Sequence, residues 1–227
     1  MKIGVIGDTH GRNYWEKIPI HEFDKFIFIG DYFDSFDIPQ SIQLFNFNNI
    51  LELKRKYPDK IILLTGNHDY HYMAGVIETY SGYQQYTGYL NITPEIHKAY
   101  QAHELQMCFI YDNFIFTHAG VTKTWVKNHK VDINNLEESI NHLFWGNLNH
   151  FRFAGRDAHG DDVTQSPIWV RPESLSLDKI DDYVQVVGHT HQWRINNQNG
   201  IWLTDVLNDR EQYLIINNGE IELSIIG

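Results

Sequence analysis

KIGVIGDTHG (2–11) is an apolar, β-branched run that stops at a glycine and hands over to Asp8 and His10. The same device recurs four more times. KFIFIGDYFD (25–34) ends on Asp31 and Asp34, and KIILLTGNHD (60–69) ends on Asn67 and His68. NFIFTHAG (113–120) ends on His118, and YVQVVGHTH (183–191) ends on His189 and His191. Short apolar runs bounded by glycine read as buried strands. Ligands of open α/β sheets gather at the C-terminal edge of such strands. A lone Asp or His in a loop is usually a turn or capping residue, but five blocks at five strand ends are hard to read that way. Two Asp, one Asn and four His meeting at one edge form a mixed oxygen and imidazole set suited to two borderline divalent cations.

GDTHG, GDYFD, GNHD, THAG and GHTH, in this order over about residues 3–215, resemble the calcineurin-like metallophosphoesterases. The nearest likeness is to the phosphoprotein phosphatases and the small bacterial and phage phosphatases. The resemblance implies an α/β (α+β) fold of two packed mixed β-sheets flanked by helices. It implies that Asp8, His10 and His191 hold one metal, and that Asn67, His118 and His189 hold a second. Asp31 would bridge the two. His68 resembles the general acid for the leaving alkoxide, and Asp34 the carboxylate that orients and charges it. The metals expected are manganese first, with iron or zinc as alternatives.

The chemistry accounts for these residue types. Two metals roughly 3.5–4 Å apart supply a nucleophile from water near neutral pH and embrace an in-line displacement at phosphorus. The protein must still protonate the leaving oxygen. Histidine suits that duty, and a neighbouring carboxylate keeps it protonated.

One departure stands out. Phosphoprotein phosphatases read GDxxDRG, whereas Asp34 is followed here by Ser35 and Phe36. Serine cannot replace a guanidinium that grips phosphate with two parallel bonds. Arg171, in PIWVRP (167–172), resembles a second phosphate-contacting arginine of the small phosphatases. Arg12 is a further candidate, and Arg152 and Arg156 are weaker ones. His21, His71, His97, His103, His129 and His142 read as surface or packing residues. His150 and His159 do too, although their stretch approaches the expected site.

The leading expectation is therefore a phosphomonoesterase acting on a phosphoprotein or a small molecule. Hydrolysis of a dinucleoside polyphosphate is the alternative, and a phosphodiesterase comes third. A metal-stabilised scaffold without turnover is disfavoured, because no ligand position is broken.

Composition narrows the partners. The chain has 227 residues, with 18 basic against 29 acidic, for a net charge of −11. That balance, with no Lys/Arg run, argues against broad nucleic-acid binding. A single cysteine, Cys108, cannot form an internal disulfide, which favours a reducing compartment. No leader with a basic start and apolar core is visible, and no apolar run reaches about 18 residues, so a cytoplasmic protein without membrane spans is expected.

A single domain over 1–227 is expected. A helix is expected from about Pro39 to Lys56, with Ile42, Phe45 and Leu51 near helical spacing. Residues 70–106 read as a helical insertion containing Tyr70, Tyr72, Tyr80, Tyr83, Tyr86 and Tyr89. These tyrosines either pack against the core or stack on a substrate. A hairpin turns at Asp112–Asn113, a short helix covers 134–146, and Asn217–Asn218–Gly219 closes a second hairpin. The polar segment 147–166 is expected as a loop near the site.

Overall fold

The architecture follows from strands that are apolar on both faces. In the computed structural model, which describes residues 1–84, 87–155, 157 and 159–227 without the side chains at 87 and 89, two mixed sheets pack face to face. The strands are β1 (Lys2–Ile6), β2 (Lys25–Phe28), β3 (Ile61–Leu64), β4 (Leu105–Gln106), β5 (Phe109–Tyr111), β6 (Phe114–Phe116), β7 (Val184–Val187), β8 (Asn196–Gln198), β9 (Ile201–Leu203), β10 (Gln212–Asn217) and β11 (Glu220–Ile225). The helices are α1 (Gln40–Lys56), α2 (Asn67–Tyr70), α3 (Thr87–Gln101), α4 (Lys123–Asn128), α5 (Leu136–Gly146) and α6 (Pro172–Asp178).

One sheet runs β11-β10-β1-β2-β3-β4 and the other β5-β6-β7-β9-β8. β1, β2, β3 and β4 pair in parallel, as do β6, β7 and β9. Parallel strands need both faces covered, and the period-2 alternation shows how. Ile27, Ile62 and Leu64 face the second sheet and meet Phe114, Phe116 and Val186. Phe26, Phe28, Ile61 and Leu63 point the other way, into a core shared with Phe47 and Ile50 of α1 and Ile92 and Ile96 of α3. Each such side chain, fully buried, contributes roughly 1.5–3 kcal/mol.

α1 begins after Pro39 as expected, but its buried face is different from the one expected. Leu51 is buried, whereas Ile42 and Phe45 are 51% and 65% exposed. Gln43 and Asn46 occupy the inner face instead. The helix starts over a polar loop, and these two amides satisfy it. Gln43 Nε2 donates to the carbonyls of Ser35 and Ile38, and Asn46 Nδ2 donates to that of Arg12.

Among the described residues of the expected helical insertion over 70–106, the helix beyond Tyr70, where α2 ends, is α3, and turns lead into it. Gly75 and Gly82 at positive φ break up the stretch before α3. Cys108 is buried in the short link between β4 and β5 rather than within a strand. Both expected hairpins are present: β5–β6 turns at Asp112, and β10–β11 turns at Asn218–Gly219, all with positive φ. Among the described residues, no helix is long and apolar enough to cross a membrane.

Candidate metal centre

Asp8 and His10 follow β1, Asp31 and Asp34 follow β2, and Asn67 and His68 open α2 directly after β3. His118 follows β6, and His189 follows β7. Parallel pairing puts these ends together at one edge of the two-sheet stack. The turns that deliver them are carried by the polar residues themselves, and not by glycine alone. His10, Asp31, Asp34 and His189 have φ of 42°, 52°, 67° and 62°. Left-handed backbone at non-glycine residues is costly and clusters at functional sites. Gly66 and Gly188 serve close approach instead. A Cβ there would fall 2.1 Å from Asp31 Oδ1 and 1.9 Å from Asp8 Oδ1, respectively.

The hydrogen-bond partners assign each imidazole its tautomer. His118 Nδ1 donates to the carbonyl of Ile29 at 3.1 Å, which leaves Nε2 bare. His189 Nε2 donates to the carbonyl of Trp169 at 3.1 Å, which leaves Nδ1 bare. These two bare nitrogens face the same atom, Asn67 Oδ1, at 3.0 and 2.8 Å. His118 Nε2 also lies 3.4 Å from Asp31 Oδ2. His10 donates through Nδ1 to Phe33 O and turns Nε2 toward Asp31 Oδ2 at 3.8 Å. With these tautomers and this orientation of the Asn67 amide, lone pairs converge on lone pairs, with Asp31 between two groups of them.

A cation resolves that repulsion. Donating the far ring N–H to a carbonyl is how metal-bound histidines are oriented. The carboxylates point the same way. Asp8, His10 and Asp31 offer ligand atoms within 4.8 Å of one another. Asp8 Oδ1 is buried without a partner. Burial, then the Asp205 and Asp31 charges, pushes the Asp8 carboxyl well above its ordinary value. The residues present therefore fit a bound divalent metal.

His191 stands apart from this group. Its side chain is half exposed, and Nε2 pairs with Asp209 at 2.8 Å. Asp205, which no motif singles out, is buried and lines the same cavity as Asp8 and His10.

His68 sits at the edge of this cavity, with Nδ1 2.9 Å from Asp34 Oδ2. Burial pulls its pKa down, but the Asp31 charge and the bond to Asp34 outweigh it, and the ring is pushed up to about 9. In the chain without metal, that direction favours the protonated ring.

His71 departs from its reading as a plain packing residue. It is buried, and Nε2 lies 2.6 Å from Asp34 Oδ2, off the line of a hydrogen bond. Nδ1 accepts from the Tyr80 amide at 3.2 Å. Burial holds His71 below its ordinary value, opposite to His68. The Tyr72 hydroxyl adds a 2.6 Å bond to Asp34 Oδ1. Burial raises the Asp34 carboxyl, but the bonds from His68 and Tyr72 and the close His71 ring together hold it below the usual range.

Asp69 was also missed. Its carboxylate accepts from the amides of Asp31, Tyr32 and Gly66, each at 2.8 Å, and so ties the second block to the third. Only the closing D of GNHD hinted at it.

Arg171 reaches the cavity wall, tied by Nε to His159 O at 2.9 Å and by Nη1 to His189 O and Thr190 Oγ1 at 3.0 Å each. Arg12 lines a smaller adjoining cleft beside Ser35, Asp34 and His68, with Asp37 3.4 Å away. Arg152 turns to Glu78 at 3.8 Å, and Arg156 lies outside the described residues. His159 is exposed and touches the site through its carbonyl, while His150 packs against His129. Of the tyrosines, Tyr70 and Tyr72 are buried, and Tyr80 faces the cavity. Tyr86 and the Tyr89 side chain lie outside the described residues.

The solved structures that this chain resembles share its fold. A cold-active protein-tyrosine phosphatase of a psychrophilic Shewanella aligns with TM-score 0.65 and 16% identity, over 100% of this chain and 80% of that one. A protein serine/threonine phosphatase of Saccharomyces cerevisiae aligns with TM-score 0.57 and 14% identity, over 98% and 79%. Among curated proteins, a probable serine/threonine-protein phosphatase of Encephalitozoon cuniculi is 27% identical over 75% of this chain and 34% of its own length. The PP2A-like serine/threonine-protein phosphatase PPG1 of Candida albicans is 31% identical over 53% of this chain and 26% of its own length. The chain thus spans only about a third, or less, of the curated relatives it matches. The family model for calcineurin-like phosphoesterases matches residues 1–193. With that match over most of its length, the chain belongs to the calcineurin-like phosphoesterase family.

Proposed function

We propose that this single domain is a dinuclear, metal-dependent phosphomonoesterase that acts on a phosphoprotein or a small phosphorylated molecule. The reading is carried by one observation: imidazole nitrogens and carboxylate oxygens converge about Asn67 and Asp31, beside a His68 ring held through Nδ1 by Asp34. Asp8, His10 and Asp31 would hold one metal. Asn67, His118, His189 and Asp31 would hold the other, with His191 or Asp205 completing the first. Manganese is the first candidate, with iron or zinc as alternatives. When bound, the pair supplies the Lewis acidity that makes water a nucleophile near neutral pH.

The rest belongs to the protein. Arg171 offers charge to the phosphate oxygens from one flank, and Arg12 lies on the other, where Ser35 replaces the family's arginine. His68 gives its Nε2 proton to the leaving oxygen, while Asp34 holds Nδ1 and so fixes the ring. Tyr72 and His71 hold Asp34 in turn.

The test is initial rates on p-nitrophenyl phosphate and bis(p-nitrophenyl) phosphate after manganese loading. Faster monoester hydrolysis is expected. Faster diester hydrolysis would transfer the protein to phosphodiesterase chemistry while leaving its metal set in place.

A further inference from the structure

The cavity above the metal site is larger than a phosphate needs, at about 600 Å³. That volume falls in the range of pockets that enclose a small organic ligand. One of its walls is aromatic. The Trp169 ring meets Tyr80 at 4.4 Å and 78°, and Phe153 at 5.0 Å and 88°. The wall begins at the site itself, because Trp169 also meets His189 edge-on at 5.5 Å. On the other side Tyr80 stacks on His71 at 5.2 Å and 16°, and His71 touches His68 at 5.7 Å.

The wall is braced from behind. Glu78 receives the Tyr80 hydroxyl and the Phe153 amide, so one carboxylate ties together two segments far apart in the chain. Trp169 is 8% exposed, whereas Tyr80 and Phe153 are half-buried and present ring surface to the cavity.

Charge limits what such a wall would receive. Among the described lining residues, Arg171 is the one arginine, and there is no lysine. Its Nε and Nη1 are already bonded within the protein. A second or third phosphate beyond the metals would meet aromatic rings and Glu78, whose carboxylate already faces Arg152 at 3.8 Å. A single phosphate carried on a flat, uncharged ring suits the cavity better than a polyphosphate chain.

We propose that Tyr80, Phe153 and Trp169 form a subsite for the aromatic leaving group of an aryl phosphate monoester, of which a phosphotyrosine side chain is the peptide example. The assignment rests on the monoesterase reading above and narrows its substrate class. Edge-to-face or offset contact between aromatic rings is worth more than the burial of the same apolar area alone. That margin amounts to roughly a tenfold difference in affinity.

The probes are phenylphosphonate and propylphosphonate, which cannot be hydrolysed and carry the same anionic head. Binding to the manganese-loaded protein is read by calorimetry, so leaving-group reactivity does not enter. Phenylphosphonate should bind about tenfold more tightly. Tyr80→Ala and Phe153→Ala, placed on separate segments so that one misfolded variant does not end the test, should each lower that ratio severalfold. Propylphosphonate affinity should move less than about twofold in both. Equal affinity for the two phosphonates in the parent protein would overturn the subsite. So would a ratio that survives both substitutions, or a dinucleoside tetraphosphate that binds more tightly than phenylphosphonate. A protein that binds phenylphosphonate selectively but hydrolyses no monoester would sink the monoesterase reading instead.

Discussion

Around Asp34, two imidazoles and one phenol converge on a single carboxylate, and Asp34, His71 and Tyr72 are buried. Around His191, the ring is half exposed and pairs with Asp209 at the surface. Both residues lie at the same candidate edge, yet one side is locked before anything binds and the other is not. The locked side is the one proposed to handle a proton, where a misplacement of about 1 Å would already be costly. The loose side is where a first-metal ligand was expected, and an exposed ion pair worth about 0–1 kcal/mol is weak enough for a cation to displace.

The largest effect should come from the residue both sides share. Asp31→Ala should weaken manganese binding by more than about 100-fold, beyond the 10–100-fold typical of losing an outer hydrogen-bond partner. Calorimetric metal titration measures it, and an unchanged affinity would remove Asp31 from its bridging place. Next comes the locked side. His68→Asn should lower turnover of phenyl phosphate by roughly 10²–10⁴-fold, and that of p-nitrophenyl phosphate far less, at unchanged metal content. Equal losses on the two esters would deny His68 the role of acid.

The loose side gives smaller changes. Asp205→Asn and His191→Ala should each weaken metal binding by about 10-fold if both residues serve the first site. Asp209→Asn, which frees His191, should strengthen binding by no more than about fivefold. A weakening in that last variant would mean that Asp209 helps the site rather than competing for His191.

The smallest effect concerns pH. The pKa of His68 is raised in the folded chain to about 9 from an ordinary 6.5, so its stabilising contribution is complete below about 6.5. It is lost as pH rises through 9. In chelator-treated protein, the stability gap between the parent and His68→Asn should therefore shrink between pH 6 and pH 10. Thermal melts at both ends would show it, and a gap that widens would reverse the sign assigned here.

The site-bearing strands were legible as short apolar runs, four of the five cut off by a glycine, and a strand that leads into GDTHG or GNHD leaves little choice of edge. The six candidate ligands that converge were legible from those same strand ends. His71, Asp69 and Asp205 were not. His71 acts on Asp34, and Asp69 on Asp31, through space across two blocks that no periodicity links. Asp205 follows β9 without a motif around it. The α1 face was misread because apolar spacing suggested Ile42 and Phe45, while the loop beneath the helix required the amides of Gln43 and Asn46. Among the tyrosines, packing and cavity roles alternate within one segment, and only the tertiary fold separates Tyr72 from Tyr80.

The left-handed backbone at His10, Asp31, Asp34 and His189 has a consequence for how the protein can be improved. A non-glycine residue in that conformation costs about 1–2 kcal/mol. Glycine would relax each turn, yet each of these side chains belongs to the proposed chemistry. Selection for thermal robustness alone would drift toward glycine at these positions and leave a sturdier, inert chain. Engineering for heat resistance should leave these turns strained and look for its gains in the outer helices and hairpins.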